Sequence, residues 1–323
     1  MSAQQAAAAP KSKRVLYGGQ AVIEGVMIRG STRAAVSVRK MDGTIARRSL
    51  PLESWANSRA RQLPIVRGVL VLLETLLVGM KALTLSANEA AEEEPEEGKE
   101  APSQMSSVGM AVMLTMSLGL GIILFFMVPL FASSGVEAIG ASAFMANVME
   151  GVFRLALFIG YIWLIGRMSD IQRVFGYHGA EHMTVAAHEA GAPLTVDSVR
   201  RFPKAHPRCG TSFLMTVVLV SIVAFILLPR DPFWFLVASR IVLIPVIASI
   251  SYELIRFGGL HQGNLAVRMF NAPNLLLQDL TTRDPDNSMI EVAIDAMDHA
   301  LEMDSAAAEL APGETASVQS REA

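Results

Sequence analysis

The chain has little of what secreted and nucleotide-binding proteins depend on. One cysteine, Cys209, among 323 residues excludes an internal disulfide and fits a reducing compartment, although a thiolate is also a metal ligand. No apolar segment follows the Ala- and Gln-rich start of the chain, so we expect no cleavable signal peptide. No phosphate-binding loop of the form G-x-x-x-x-G-K-[ST] is present, which assigns the N-terminal glycines to backbone geometry.

Charge is also scarce, and apolar residues take its place. Charged residues make up 18% of the chain and hydrophobic residues 52%. The mean hydropathy of +0.40 is too high for an ordinary soluble domain and indicates a membrane protein. Four transmembrane helices are predicted at residues 106–132, 143–167, 211–229 and 233–256. The first has no charge, and at ~1.5 Å per residue it is long enough for ~30 Å of hydrocarbon.

Residues 64–86 form a fifth apolar stretch of a different kind. Arg67, Glu74 and Lys81 interrupt it at heptad spacing and gather into one stripe on a helix. We therefore predict an interfacial or re-entrant helix here.

The distribution of Lys and Arg predicts the orientation. Residues 167–210 hold six of them, and residues 11–67 hold twelve. By the positive-inside rule both regions are cytoplasmic, provided that 64–86 does not cross. The prediction is a multi-pass protein of the bacterial inner membrane with both termini in the cytoplasm.

The remaining segments complete the predicted domain organisation. Residues 14–62 alternate β-formers with glycines, and a hairpin turning at Asp42-Gly43 indicates a small cytoplasmic β subdomain. A surface helix is predicted from about Asp286 to Met303, inside a cytoplasmic C-terminal region. The predicted segments are a disordered tail 1–13, the β subdomain 14–62, the helix 64–86, an acidic linker 87–105, a transmembrane domain 106–256 with a cytoplasmic His/Cys loop 168–210, the C-terminal region 257–303 and a disordered tail 304–323.

Histidines are concentrated in one part of the chain. Four of the six, together with the cysteine, lie between residues 178 and 209. On a helix, residues at i, i+3 and i+4 share a face, so His178, Glu181 and His182 should point the same way. The order H-x-x-E-H is that of the inverted zinc peptidases, where both histidines bind Zn²⁺ and the glutamate activates a water. We predict His178 and His182 as ligands of a divalent metal, with Zn²⁺ expected, and Glu181 as the catalytic base.

Further ligands are less sharply defined. His206 and Cys209 are predicted as two more ligands, which would give a closed, structural site; an inert thiol or a nucleophile are the other interpretations of Cys209. Glu253 is the alternative third ligand, because inverted zinc peptidases also use a glutamate well downstream of the motif. The other interpretation is that Glu253 forms an ion pair with Arg256 at the end of the helix. Glu189 shares the face of His182 and is predicted to orient a ligand imidazole.

Three charges fall in the outer halves of predicted spans. Glu150 and Arg154 lie in the second span and Arg240 lies in the fourth. A buried ion-pair network joining the two spans is the favoured interpretation, and a polar translocation path is the alternative.

Four separated motifs resemble one known family. They are Gly18–Met27, Tyr177–His182, His206–Phe213 and Leu276–Arg283. In this order they resemble the bacterial YqhQ-like family, an uncharacterised group of membrane proteins described as predicted metal-dependent enzymes. The likeness covers roughly residues 15–298. It implies a metal site in a membrane protein and does not imply a particular reaction.

Together these patterns predict a mainly α, polytopic membrane protein with about four transmembrane helices, a small N-terminal β subdomain and an interfacial or re-entrant helix. The function predicted is metal-dependent hydrolysis at the cytoplasmic face, through a metal-bound water, of a membrane-bound peptide or lipid. A non-catalytic scaffold with a structural metal and a transporter or channel subunit are the alternatives. Membrane lipid is the expected partner, and no specific nucleic-acid contact is expected.

Overall fold

The computed structural model describes residues 17–52, 63–91, 107–206, 209–261 and 264–309. The predicted tail 1–13, and most of the predicted linker and C-terminal tail, lie outside these residues. The described strands are β1 (Gly18–Val22), β2 (Gly25–Arg29), β3 (Arg33–Arg39) and β4 (Ile45–Pro51). The described helices are α1 (Pro64–Ala91), α2 (Ser107–Ile122), α3 (Val128–Ala138), α4 (Ala143–Ile165), α5 (Ser169–Glu189), α6 (Val196–Val199), α7 (Gly210–Ile226), α8 (Phe233–Val242), α9 (Ile244–Leu260), α10 (Leu265–Thr281) and α11 (Asn287–Glu309).

The four strands form one antiparallel sheet in the order β1-β2-β3-β4, which confirms the predicted N-terminal sheet. The predicted turn joins β3 to β4, and Gly43 within it has a φ of 87°, a left-handed value that favours glycine. Successive residues of a strand point to opposite faces, and here both faces are covered. Val26 and Ile28 pack against α5 and α11, whereas Met27 packs with Val78 of α1. The sheet is therefore a middle layer between helices.

Helix α1 is a continuous helix of 28 residues that extends beyond its predicted end into the predicted linker. Its segment Val66–Ala91 contains an 18-residue stretch with a mean hydropathy of 1.8 and is long enough to cross a membrane. Arg67 pairs with Glu253 of α9, and Glu74 pairs with Arg29 of β2. Two residues of the charged stripe thus form ion pairs with other elements of the chain, one in the helical bundle and one in the sheet. The interfacial or re-entrant position of α1 stays a prediction.

Among the described residues, three helical segments are long and apolar enough to span a membrane, and a pair of helices bent by 42° adds a fourth. They are Val66–Ala91, Ala111–Ala138, Ala143–Ile165, and the pair Phe233–Val242 with Ile244–Gly259. Helices α2 and α3 are joined by a π-helical turn, Ile123–Met127, and form one rod. The predicted third span is an apolar helix, α7, of only 17 residues. A mainly helical fold with three or four candidate spans is confirmed. Three of these segments correspond to predicted spans, and α1 is a candidate where the predicted third span, α7, is not.

The charges inside the bundle form the predicted ion-pair network. Glu150 is fully buried; it accepts hydrogen bonds from Arg154 at 2.7 Å and from Arg240 at 2.8 Å. Arg230, which was not predicted to take part, donates to Glu150 at 3.3 Å. Arg154 also donates to the carbonyl of Phe125 in the π-helical turn, where the altered helical hydrogen bonding leaves a carbonyl accessible. The network joins α4, α8 and the rod.

Three predicted segments can be compared with the structure. The predicted His/Cys loop 168–210 contains α5, a helix of 21 residues that carries the H-x-x-E-H residues. The predicted disordered tail begins too early, because α11 continues to Glu309 and Asp304 accepts a hydrogen bond from Tyr17 at 2.9 Å. The helix predicted before that tail corresponds to α11, and one of its faces, including Ile290 and Met297, is buried against the sheet and α5.

Candidate metal centre

Helix α5 brings the H-x-x-E-H residues together. The predicted helix is confirmed, and His178, Glu181 and His182 share a face that borders a cavity of ≈ 420 Å³. Glu181 and His182 are buried, and His178 is half-buried. Gly179 lets the helix approach the chain after α10, because a Cβ there would lie 2.3 Å from the carbonyl oxygen of Arg283.

Backbone carbonyls fix the orientation of both imidazoles. His178 Nδ1 lies 2.8 Å from the carbonyl oxygen of Thr281, and His182 Nδ1 lies 2.6 Å from that of Lys204. A carbonyl oxygen only accepts hydrogen bonds, so each Nδ1 carries the proton and each Nε2 keeps its lone pair. Histidines that bind metals are commonly oriented in this way by a second partner.

Cys209 completes a group of three possible ligands. Its thiol caps α7 by accepting a hydrogen bond from Thr211 N–H at 3.3 Å, and its Sγ lies 3.1 Å from Nε2 of His178. The ligand atoms of His178, His182 and Cys209 all lie within 4.8 Å of one another. Two imidazole nitrogens and one thiolate are donors that suit Zn²⁺ well. The chemistry and spacing of the three side chains therefore fit a divalent metal.

Glu181 lies beside this group and is buried. One carboxylate oxygen is 3.6 Å from Nε2 of His182, and the N–H of Gly19 donates to the carboxylate. Burial raises the pKa of Glu181 to about 7, against the lowering effects of His178 and of the Gly19 N–H. A carboxyl group with a pKa near neutrality can accept and return a proton at physiological pH.

His206 lies next to the three ligand candidates but is not among them. Its ring centroid is 5.8 Å from that of His182, and its Nε2 is 3.4 Å from a carboxylate oxygen of Glu189. Burial and the nearby His182 lower the pKa of His206 to about 4. Glu189, predicted to orient a ligand imidazole, does contact an imidazole, but it is that of His206.

Glu253 is not brought to the cluster, and its prediction as the third ligand is corrected. Its carboxylate forms a two-point ion pair with Arg67, with distances of 3.0 and 2.5 Å, and lies 3.8 Å from Arg256. The guanidinium of α1 satisfies both oxygens, so the carboxylate joins α9 to α1. Among the described residues, Cys209 takes the third position instead.

Several residues around the site carry no signal in the H-x-x-E-H pattern. Gln278 of α10 accepts a hydrogen bond from His206 N–H at 2.8 Å and donates to the His206 carbonyl at 2.9 Å, which holds the segment leading to Cys209. Thr75 of α1 and Tyr252 of α9 line the cavity. The motifs around Gly19 and Gln278 belong to the resemblance described above, and that was their only sequence signal.

The comparisons with known proteins agree with this resemblance. A family described as a protein of unknown function, DUF1385, matches residues 63–303. The chain belongs to the DUF1385 family. It is 32% identical over 295 residues to the "Uncharacterized protein YqhQ" of Bacillus subtilis (strain 168), which covers 89% of this chain and 93% of that protein. No solved structure matches the chain.

The DUF1385 match includes all three ligand candidates, Glu181 and Gln278, but not the sheet. Gly19 and Gln20 of β1, which close one side of the cavity, precede the matched residues. The DUF1385 part of this chain therefore contributes the possible ligands, and β1 contributes the hydrogen bond to Glu181.

Proposed function

We propose that the protein is a metal-dependent hydrolase. The observation that carries this proposal is the grouping of one ligand atom each from His178, His182 and Cys209 within 4.8 Å, with both imidazoles oriented by backbone carbonyls. Three protein ligands are typical of catalytic zinc sites, which keep one position open, whereas structural sites have four. Among the described residues the group has three possible ligands, so one coordination position of a metal ion would be left for water. This favours catalysis over a structural role.

Each residue then has a defined part. His178, His182 and Cys209 hold the ion, which would be Zn²⁺ and would supply Lewis-acid activation of water. Glu181 accepts a proton from water in the cavity at its carboxylate and returns it to the leaving group. Gly19 N–H and the burial of the site keep that carboxylate in place.

The proposed location is the cytoplasmic face of the bacterial inner membrane, with both termini in the cytoplasm. The six Lys and Arg of residues 167–210 support it through the positive-inside rule. A membrane-bound peptide or lipid is the substrate class, because α1 and α9, two apolar helices, line the cavity through Thr75 and Tyr252.

The two alternatives receive different support. Arg154, Arg230 and Arg240 all pair with Glu150, which favours a structural role for these charges over a translocation path. A scaffold with a structural metal would need a fourth ligand, and His206, whose ring centroid lies 5.8 Å from that of His182, is the predicted candidate. A closed His3Cys site is therefore the alternative that the experiment must separate from the open one.

Metal analysis of the purified protein tests the proposal. Wild type should contain about one Zn²⁺ per chain, and His178→Ala, His182→Ala and Cys209→Ser should each lose most of it, because two ligands are too few. His188→Ala is the matched control, since that imidazole packs on Tyr17 outside the group and its loss should leave the metal content unchanged. Glu181→Gln should keep the metal.

The fourth-ligand question needs one more variant. His206→Ala should retain metal if the site is open and should lose it if the site is closed and structural. Wild-type protein that contains no transition metal under every preparation that preserves its fold would contradict the proposal.

A further inference from the structure

A second cavity, of ≈ 520 Å³, lies behind the metal centre at the end of α4. Lys204, whose carbonyl oxygen contacts His182, lines this cavity. Thr282 also lines it and directly follows Thr281, whose carbonyl oxygen contacts His178. The backbone that orients the two histidines therefore also borders this cavity. The proposed hydrolytic reaction uses no residue whose side chain lines this cavity.

Three cationic side chains line the cavity. Arg167 is exposed and its guanidinium stacks over the ring of Trp163 at 4.0 Å. Arg283 is exposed and its guanidinium donates to the carbonyl of Gly166 at 3.1 Å. Lys204 lies 3.1 Å from Asp284. With Asp279 also lining the cavity, three cations face two carboxylates, so the cavity has an excess positive charge.

The surroundings of the cavity are apolar and belong to helices at the membrane. Helix α4 is a candidate span that ends two residues before Arg167, and the side chain of Trp163 is 51% exposed. Leu164 of α4 and Leu276 and Leu280 of α10 are also exposed. Tryptophan next to Arg and Lys at the end of an apolar helix is typical of the membrane–water interface.

We propose that this cavity binds the phosphate group of an anionic phospholipid. Arg guanidinium groups match phosphate oxygens in geometry and charge, and basic pockets between membrane helices accept anionic head groups. The acyl chains lie along the exposed leucines of α4 and α10. A soluble phosphate has the same charged group but gains nothing from this apolar surface, so lipid is the occupant that the surroundings favour.

Lipid binding to the delipidated full-length protein in neutral detergent tests the proposal. The probe is fluorescent phosphatidylglycerol, with phosphatidylcholine and inorganic phosphate as competitors. We expect phosphatidylglycerol to bind about tenfold more tightly than phosphatidylcholine, and Arg167→Gln with Arg283→Gln to remove that preference, as expected for the loss of charge-assisted hydrogen bonds. The control is Arg33→Gln with Arg201→Gln, which removes two exposed charges elsewhere and should leave the preference unchanged.

Each outcome decides the proposal. Equal loss of affinity in both double variants, or no preference in wild type, would overturn it; displacement by inorganic phosphate without any preference for the lipid would assign the site to soluble phosphate and overturn the lipid assignment. If the double variant does not fold, Arg167→Gln alone decides, because Arg167 is exposed and its guanidinium stacks on the ring of Trp163. Metal content, measured separately on each variant, reports on the hydrolase proposal, so the two can fail independently.

Discussion

At the scale of single residues, Gly19 brings β1 against the side chain of Glu181. A Cβ on Gly19 would lie 2.4 Å from the carbonyl oxygen of Met27 and 2.8 Å from Cγ of Glu181. We expect Gly19→Ala to lower the free energy of unfolding by about 1–3 kcal/mol through overpacking and to displace the carboxylate. Gly18→Ala is the matched control, since a Cβ there meets nothing within 4 Å. Unfolding in detergent measures the free energy of unfolding of both variants. Equal losses in Gly19→Ala and Gly18→Ala would contradict the close approach of β1 to Glu181.

Glu181 makes the stability of the metal-free protein depend on pH. The pKa of about 7 lies above the value of 4.5 expected in the unfolded chain, because burial disfavours the charged form. The contribution of Glu181 to stability is therefore largest below pH 4.5 and falls as pH rises to 7, by on the order of 3 kcal/mol. Glu181→Gln should remove most of this fall. Unfolding of wild type and Glu181→Gln without metal at pH 5 and pH 8 measures this fall. Parallel pH profiles of the two proteins would show that burial does not raise the pKa of Glu181.

The geometry of the candidate site was predictable only where it is local, and Cys209 was one of several possible further ligands. His178, Glu181 and His182 are one helical turn apart, so the spacing alone predicts their common face. Cys209 reaches them because the segment before α7 is held by Gln278, 72 residues from His206, and no local pattern reports that contact. The prediction for Glu253 failed for the same reason, since its partner Arg67 is 186 residues away.

At the scale of elements, α10 positions the segment that carries Cys209. Gln278 is fully buried, and its amide bonds both the N–H and the carbonyl of His206. We expect Gln278→Leu to leave both backbone groups unpaired, at a cost of about 1–3 kcal/mol each, and to weaken metal binding although Gln278 is not a ligand. Asp279→Asn, an exposed change next to it, is the control. Metal competition with a chelator measures the affinity, and unchanged affinity in Gln278→Leu would contradict the role.

The network between α4, α8 and the α2–α3 rod gives a second prediction at this scale. Glu150→Gln should lower stability by about 3–5 kcal/mol, because removing one partner leaves buried charges uncompensated. Since Glu150 contacts Arg154 and Arg230 as well as Arg240, the double variant Glu150→Gln with Arg240→Gln should recover only part of the loss. Thermal unfolding of the single and double variants tests this, and full recovery would mean that only the Arg240 pair matters.

Elements were predicted well where hydropathy alone decides them and poorly where packing does. The charge-free segment around Thr115 and the hairpin at Gly43 were predicted from composition and turn chemistry. Helix α11 was predicted as a surface helix, and nothing in its sequence signal indicates that Ile290 and Met297 pack against the sheet. Its end at Glu309 depends on contacts with the N-terminal part of the chain, including the bond from Tyr17 to Asp304.

At the scale of the whole molecule, the packing of the sheet constrains the membrane topology. The sheet forms one core with α5 and α11, so these parts lie on the same side of any membrane. Between β4 and α5 the chain must then cross an even number of times, whereas three candidate spans, α1, the α2–α3 rod and α4, lie between them. Val78 and Ala82 of α1 are buried against the sheet, and Glu89 pairs with Arg48 of β4. We therefore expect that α1 stays on the side of the sheet and that the rod and α4 cross.

Labelling of introduced cysteines in intact cells tests this topology. Ile139→Cys, after α3, and Leu227→Cys, after α7, are 86% and 78% exposed in the native residues and should react with a membrane-impermeant maleimide from outside. Met41→Cys, in the β3–β4 turn, and Arg201→Cys, after α6, are exposed positions on the side of the sheet and should react only after permeabilisation. Wild type is the background control, because its one cysteine, Cys209, is buried. Reaction of Met41→Cys in intact cells together with protection of Arg201→Cys would mean that α1 crosses the membrane. Such a crossing would separate the sheet from α5 and remove Gly19 from the metal centre.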